Sequence, residues 1–141
     1  MFTRTVLLSL CLVFTASAYA GDWADYRITI RNATAGQVLT PPLIVVHRPG
    51  FSLFTVGTTA SPGLVSLAET GNNSNLNAEV SGTDGVISTL AATDVIPFGH
   101  MASFTFSAPN KAHISLAAML ATTNDGFAGL KDVALPKRSA H

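Results

Sequence analysis

The chain has 141 residues, 48% of them hydrophobic and 11% charged, with 8 basic against 8 acidic side chains. That balance excludes a nucleic-acid binder, which carries a basic excess, and a disordered tail, which combines low hydrophobicity with high net charge. The length suits one domain of ordinary size rather than two.

Residues 1–20 read as a secretory signal peptide. Arg4 supplies the positive start, Val6 to Phe14 is apolar apart from Ser9, and Ala18-Tyr19-Ala20 is a small-x-small cleavage site. Cleavage is expected between Ala20 and Gly21. The apolar run is too short to span a bilayer, which takes about 20 residues. A lipoprotein reading would modify Cys11, but Leu10 stands before it where a small residue is expected. Cleavage removes Cys11, the single cysteine. Although the exported compartment permits disulfides, residues 21–141 then make none and rely on a packed core. No later segment reaches transmembrane length, so a soluble secreted or periplasmic product with a single domain over 21–141 is expected.

Asp25 to Arg31 alternates strictly, with Tyr26, Ile28 and Ile30 on one face, which predicts a half-buried strand. Asn32 to Gly36 follows as a turn. Leu43 to His47 is a continuous apolar run, consistent with a strand buried on both faces, and Arg48-Pro49-Gly50 ends it. Phe51 to Val56 is another short apolar stretch. Ser61 can cap a helix whose first residue is Pro62. Leu64, Leu67 and Ala68 keep helical spacing and Gly71 closes the segment, so one short helix is expected near residues 62–69. Asn72 to Asn77 reads as a polar loop, and Gly82 to Gly85 as a turn. Val86 to Ala91 predicts a weak strand, and Pro97-Phe98-Gly99 a turn. Met101 to Ser107 alternates again, with Phe104 and Phe106 on one face. His113 to Leu120 reads as a central strand with Leu116 in the core. Thr122 to Gly126 is a polar loop, and Phe127 to Leu130 a short apolar piece. Short strands separated by turns, with a single short helix, predict an all-β protein, an antiparallel β-sandwich.

Chemistry is sparse. There is no Gly-rich phosphate loop and no GxSxG. His47, His100, His113 and His141 stand far apart, without the close spacing of a zinc site. His47 and His113 adjoin apolar runs and are expected as hydrogen-bonded histidines at strand ends. Of the acids, Glu69 falls at a helix end, Asp84 in a turn and Asp94 before Val95-Ile96. Asn32 and Asn72 both lie in N-x-S/T sequons. The loop Thr122-Thr123-Asn124-Asp125-Gly126 clusters oxygen donors of the kind calcium takes, without the alternating acids of an EF-hand. The reading favoured by composition is a turn in which Asn124 and Asp125 bond their own backbone and Gly126 takes positive φ.

Several segments together resemble the N-terminal spondin domain in its bacterial secreted form. They are Tyr26 to Gln37, Pro41-Pro42 with His47-Arg48-Pro49-Gly50, Phe54 to Gly57, Ala60-Ser61, and Gly63-Leu64 with Leu67-Ala68-Glu69. Ser115 to Leu120 follows, then Thr123-Asn124-Asp125-Gly126-Phe127-Ala128-Gly129-Leu130 and Leu135-Pro136. The resemblance covers roughly residues 25–136 and rests on the order and spacing of these pieces. It implies an antiparallel β-sandwich outside the cytoplasm, acting as a non-catalytic binding or adhesion module. F-spondin and mindin are matrix and adhesion proteins of this type.

The resemblance also implies a bound Ca²⁺. Asp125 matches one ligand position, while the two acids of a later Asp-Ala-Gly-Thr-Asp/Glu segment have no counterpart before His141. Calcium binding is therefore expected to be weak unless Glu69 or a partner substitutes. Terminal strands of the sandwich are expected to be missing, and an exposed edge invites self-association. The partner implied is an extracellular protein or glycan, with no nucleic acid. Competing readings are a secreted hydrolase with an unrecognised site, and a structural envelope or matrix component assembling through sheet edges.

Overall fold

A computed structural model describes residues 23–137; the expected signal peptide, its expected cleavage point before Gly21, and His141 lie outside the described residues. In chain order the elements are β1 (Trp23–Arg31), β2 (Leu43–His47), α1 (Pro62–Thr70), α2 (Ser74–Val80), β3 (Val86–Ala91), β4 (Met101–Pro109), β5 (His113–Met119) and β6 (Phe127–Ala134). All strand pairing is antiparallel. One sheet runs β3-β2-β5-β6, and β1 pairs with β4 alone in a two-stranded ribbon. The expected sandwich is present: Tyr26, Ile28 and Phe106 of the ribbon pack on Val46, Ile114 and Leu130 of the larger sheet.

Why β2 is apolar throughout follows from what covers it. Side chains alternate across a strand. Val46 faces the ribbon, while Leu43 and Val45 face a second core with Leu64, Leu67, Leu76 and Val80 of the two helices. Both sheet faces are covered, so all five residues of β2 are buried. The stretch Phe51–Val56 forms no strand. Phe51, Leu53 and Phe54 dock on the helical side of the core instead.

α1 begins as its sequence directs. Ser61 Oγ accepts from the Leu64 N–H at 3.3 Å, Pro62 opens the helix, and Gly71 ends it in the left-handed region at φ 72°. The expectation of a single helix needs correction, because residues 74–80 form α2 where a polar loop was expected. Two asparagines explain the difference. Asn72 Oδ1 accepts from the Ser74 N–H at 2.8 Å and starts the helix. Asn73 turns inward, donating to the Ala92 carbonyl at 2.9 Å and the Pro41 carbonyl at 3.1 Å. Leu76 and Val80, four residues apart, then face the core.

Asn32, one of the two sequon asparagines, is only 1% exposed. Its amide donates to the Gln37 and Ile96 carbonyls, both at 2.8 Å, and its oxygen accepts from Thr34. It ties the loop after β1 to the segment before β4. Leu116 needs a smaller correction. It is half-buried rather than fully core, whereas Ile114, Ala117, Ala118 and Met119 around it are buried. It points to the ribbon side, where two strands cover four.

Candidate functional site

β2 and β5 are antiparallel neighbours, so each end of the larger sheet gathers a different set of loops. Asp125 stands at one end, in the β5–β6 loop, as the sequence places it, and its side chain is exposed. That loop is held by Thr123. Its hydroxyl donates to the Leu120 carbonyl at 2.7 Å and accepts from the Gly126 N–H at 2.9 Å. Neither Asn124 nor Asp125 closes the turn, and Gly126 is not among the residues at positive φ. Thr122 bonds the Gln37 side chain across to the loop before β2.

Calcium takes six to eight oxygens. In this loop the Leu120 carbonyl is engaged by Thr123, and the Gln37 side-chain oxygen by Thr122. Among the described residues no three His, Cys, Asp or Glu side chains converge as a metal site. Glu69 is exposed on the last turn of α1. Within the loop Thr122 to Gly126, Asp125 is the one carboxylate.

Toward the opposite end of the sheet the fold brings together side chains that the sequence keeps far apart. His47 and His113 are opposite each other in register, with ring centres 6.2 Å apart. Between β5 and β6 the register shifts, so that two residues of β6, Lys131 and Asp132, stand against Ser115. Asp132 occupies the bulge at φ 51°, a left-handed position that Asp tolerates better than most residues. Its N–H donates to Ser115 Oγ at 2.9 Å, and its carboxylate accepts from His113 Nδ1 at 2.8 Å.

Ser115 Oγ also lies 2.9 Å from His47 Nε2. The Arg48 carbonyl, 2.7 Å from His47 Nδ1, can only accept. Nδ1 therefore carries a proton, which makes Nε2 the acceptor of the Ser115 O–H in the one-proton form of the ring.

Serine, histidine and aspartate in contact invite comparison with a hydrolytic triad, which is recognised by geometry and roles. In a triad the aspartate orients the ring through Nδ1. Here that proton goes to Arg48, and Asp132 Oδ1 is 3.9 Å away. Ser115 and His47 are both 0% exposed. The cluster satisfies polar groups at a strand bulge. That agrees with the expectation of hydrogen-bonded histidines, with Ser115 and Asp132 as partners the sequence did not reveal. His100 is exposed, and its carbonyl accepts from the Asn32 N–H at 2.9 Å.

The same end opens into a cleft of about 770 Å³ between the Arg48-Pro49 corner, the Gly82–Gly85 turn and the β4–β5 turn. Trp23, 55% exposed, forms one wall. Arg48 and Lys111 bring positive charge and Asp84 negative charge. Lys111 is held at φ 72° in the β4–β5 turn. Beside it, Asn110 Oδ1 is buried without a protein hydrogen-bond partner. An aromatic wall with a few polar groups in a concave site is the usual build of a recognition site. Sequence reading missed this cleft, because Trp23, Arg48 and Lys111 come from three separate turns and strand ends. Among the described residues no helix is long and apolar enough to cross a membrane.

Compared with known families, residues 29–141 match the family model described as Spondin_N. No curated protein matches the chain.

Proposed function

The chain belongs to the Spondin_N family, and from that premise we propose that it is an exported, non-catalytic binding or adhesion module. The observation that carries this reading is the cleft walled by Trp23, Arg48 and Lys111. An exposed indole offers a large rigid contact surface with a polar edge, and the two cations would add orientation by charge. Export rests on the segment Val6 to Phe14 and on Ala18-Tyr19-Ala20, so the exported protein should begin at Gly21. The absence of catalysis is supported by the geometry of Ser115 and His47, whose reactive atoms are bonded to each other and shielded from solvent.

The test has two arms. N-terminal sequencing of exported protein reads the start; an intact Met1 would overturn export. Binding to immobilised extracellular proteins and glycans reads recognition. Saturable binding lost in Trp23→Ala and Arg48→Ala is expected. Binding that survives both substitutions would move the site elsewhere. Turnover of an ester, peptide or glycoside that disappears in Ser115→Ala would establish a hydrolase instead.

A further inference from the structure

Residues 48–61 join β2 to α1 with no helix or strand of their own, and connections this long in a compact domain are usually functional. The segment is ordered by its own bonds. The Thr58 N–H and hydroxyl both donate to the Thr55 carbonyl, at 3.2 and 2.8 Å, closing a tight turn with Gly57 at φ 85°. Ser52 Oγ donates to the Phe54 carbonyl at 2.7 Å and lies 3.3 Å from Thr55 Oγ1. Leu53 and Phe54 dock on the helical core, which leaves Val56, 87% exposed, at the apex of the turn.

Between this segment, the start of α1 and the first residue of β6 lies a pocket of about 460 Å³, within the size range of small-molecule sites. It shares no residue with the cleft that holds Trp23. Its apolar surface comes from Leu53, Phe54, Val56, Leu64 and Phe127, and the Phe54 and Phe127 rings meet edge to face with centres 5.3 Å apart. All its lining residues lie between 52 and 64 or at 127, within the described residues. Phe127 stands about 23 Å along β6 from Ala134, so the pocket and Pro136 are at opposite ends of that strand.

We propose that this pocket binds a small uncharged molecule built on an aromatic ring with a hydroxyl at its edge. No lining residue is charged, and an ion moved into the pocket would lose water without gaining a partner. A flat ring adds to the Phe54–Phe127 pair, and ring–ring contacts are worth more than the area they bury. The rim sets the polar edge. The protons of the Ser52 and Thr58 hydroxyls are spent on carbonyls, which only accept, and the Thr55 hydroxyl then gives its proton to Ser52. What these oxygens have left for a ligand is lone pairs, so the ligand supplies the O–H. Because the segment is already held by its own bonds, little order is lost on binding.

Titration of the isotopically labelled protein with 2-naphthol, followed by NMR, should perturb the amides of Leu53, Gly57, Leu64 and Phe127 saturably. The carboxylate 2-naphthoate keeps the rings but carries a charge, and should bind about ten-fold more weakly or worse. Removing the donor, in 2-methoxynaphthalene, or saturating the rings, in decahydro-2-naphthol, should each weaken binding roughly two- to ten-fold.

Thr59 also lines the pocket and is exposed, so it can be changed without disturbing the core. Thr59→Arg brings a cation to the pocket and should reverse the preference, so that 2-naphthoate binds more tightly than 2-naphthol; an unchanged denaturation midpoint verifies the fold. Absence of saturable shifts at the four amides would overturn the inference. So would equal binding of naphthol and naphthoate by the unaltered protein, or a Thr59→Arg protein that keeps the original preference. Shifts of the same amides with protein concentration alone would mean that the pocket takes an apolar side chain of a second copy, and the inference would fall.

Discussion

Replacing Gly63 by alanine sets two physical effects against each other. Gly63 is the second residue of α1, and alanine there would gain up to about 1 kcal/mol of helix propensity. The structure argues for the opposite sign. A Cβ at Gly63 would sit 2.8 Å from Leu76 Cα and 2.6 Å from Glu79 Oε2. The glutamate can swing away, but doing so breaks its 2.6 Å hydrogen bond from the Gly63 N–H, which caps α1 from the neighbouring helix. Such a bond contributes roughly 0.5–1.5 kcal/mol.

Leu76 Cα is backbone and cannot swing. Carbon atoms prefer about 3.5–4.0 Å, so α1 and α2 must move apart. That motion opens the core shared by Leu64, Leu67 and Leu76. Overpacking of this kind costs about 1–3 kcal/mol. The sum favours net destabilisation by about 1–3 kcal/mol, read as a lower urea midpoint at unchanged slope. Gly36→Ala is the control, since a Cβ there meets nothing within 4 Å; it should be neutral or slightly stabilising. A Gly63→Ala protein as stable as wild type would refute the claimed close approach of the two helices.

Ser115→Ala leaves the Asp132 N–H and His47 Nε2 without their shared partner, and should destabilise by about 2–6 kcal/mol, from roughly 1–3 for each orphaned group. A loss below about 0.5 kcal/mol would mean that Ser115 does not hold the bulge. Leu76, fully buried, should lose about 2–5 kcal/mol on truncation to alanine. The half-buried Leu116 should lose less in the same denaturant assay, and equal losses would contradict the uneven cover described above. Calorimetric titration should find Ca²⁺ binding no tighter than about millimolar, the range of weak extracellular sites; micromolar binding abolished by Asp125→Asn would show that other oxygens complete the site.

Strands were readable wherever one physical cause controlled the pattern. β1 and β4 alternate because one face of the ribbon meets the core and the other meets water. β2 is uniformly apolar because helices cover one side and the ribbon the other. The helix at Pro62 was readable because its start and stop are local: a serine cap, a proline and a closing glycine. α2 was hidden because its polar residues do long-range work. Asn73 resembles a loop residue until its amide is seen on the carbonyls of Pro41 and Ala92, and only Leu76 and Val80 carry the helical spacing.

The two ends of the sheet divide along the same line. Asp125 could be placed from sequence because it follows a recognisable strand directly. The group of His47, Ser115, Asp132 and His113 could not, because its members meet through a register shift between β5 and β6, and a register shift is a property of paired strands rather than of either strand alone. Lys131-Asp132 inside an otherwise apolar stretch was the local trace of that bulge: a strand facing a core tolerates two consecutive polar residues where one extra residue turns them out of the ladder. The cleft is less local still. Trp23, Arg48 and Lys111 share a wall only because β1, β2 and β4 all begin or end at that side of the sandwich. The proposed recognition cleft is therefore a consequence of topology, and substitutions that move a strand end should alter it as strongly as those that replace its side chains.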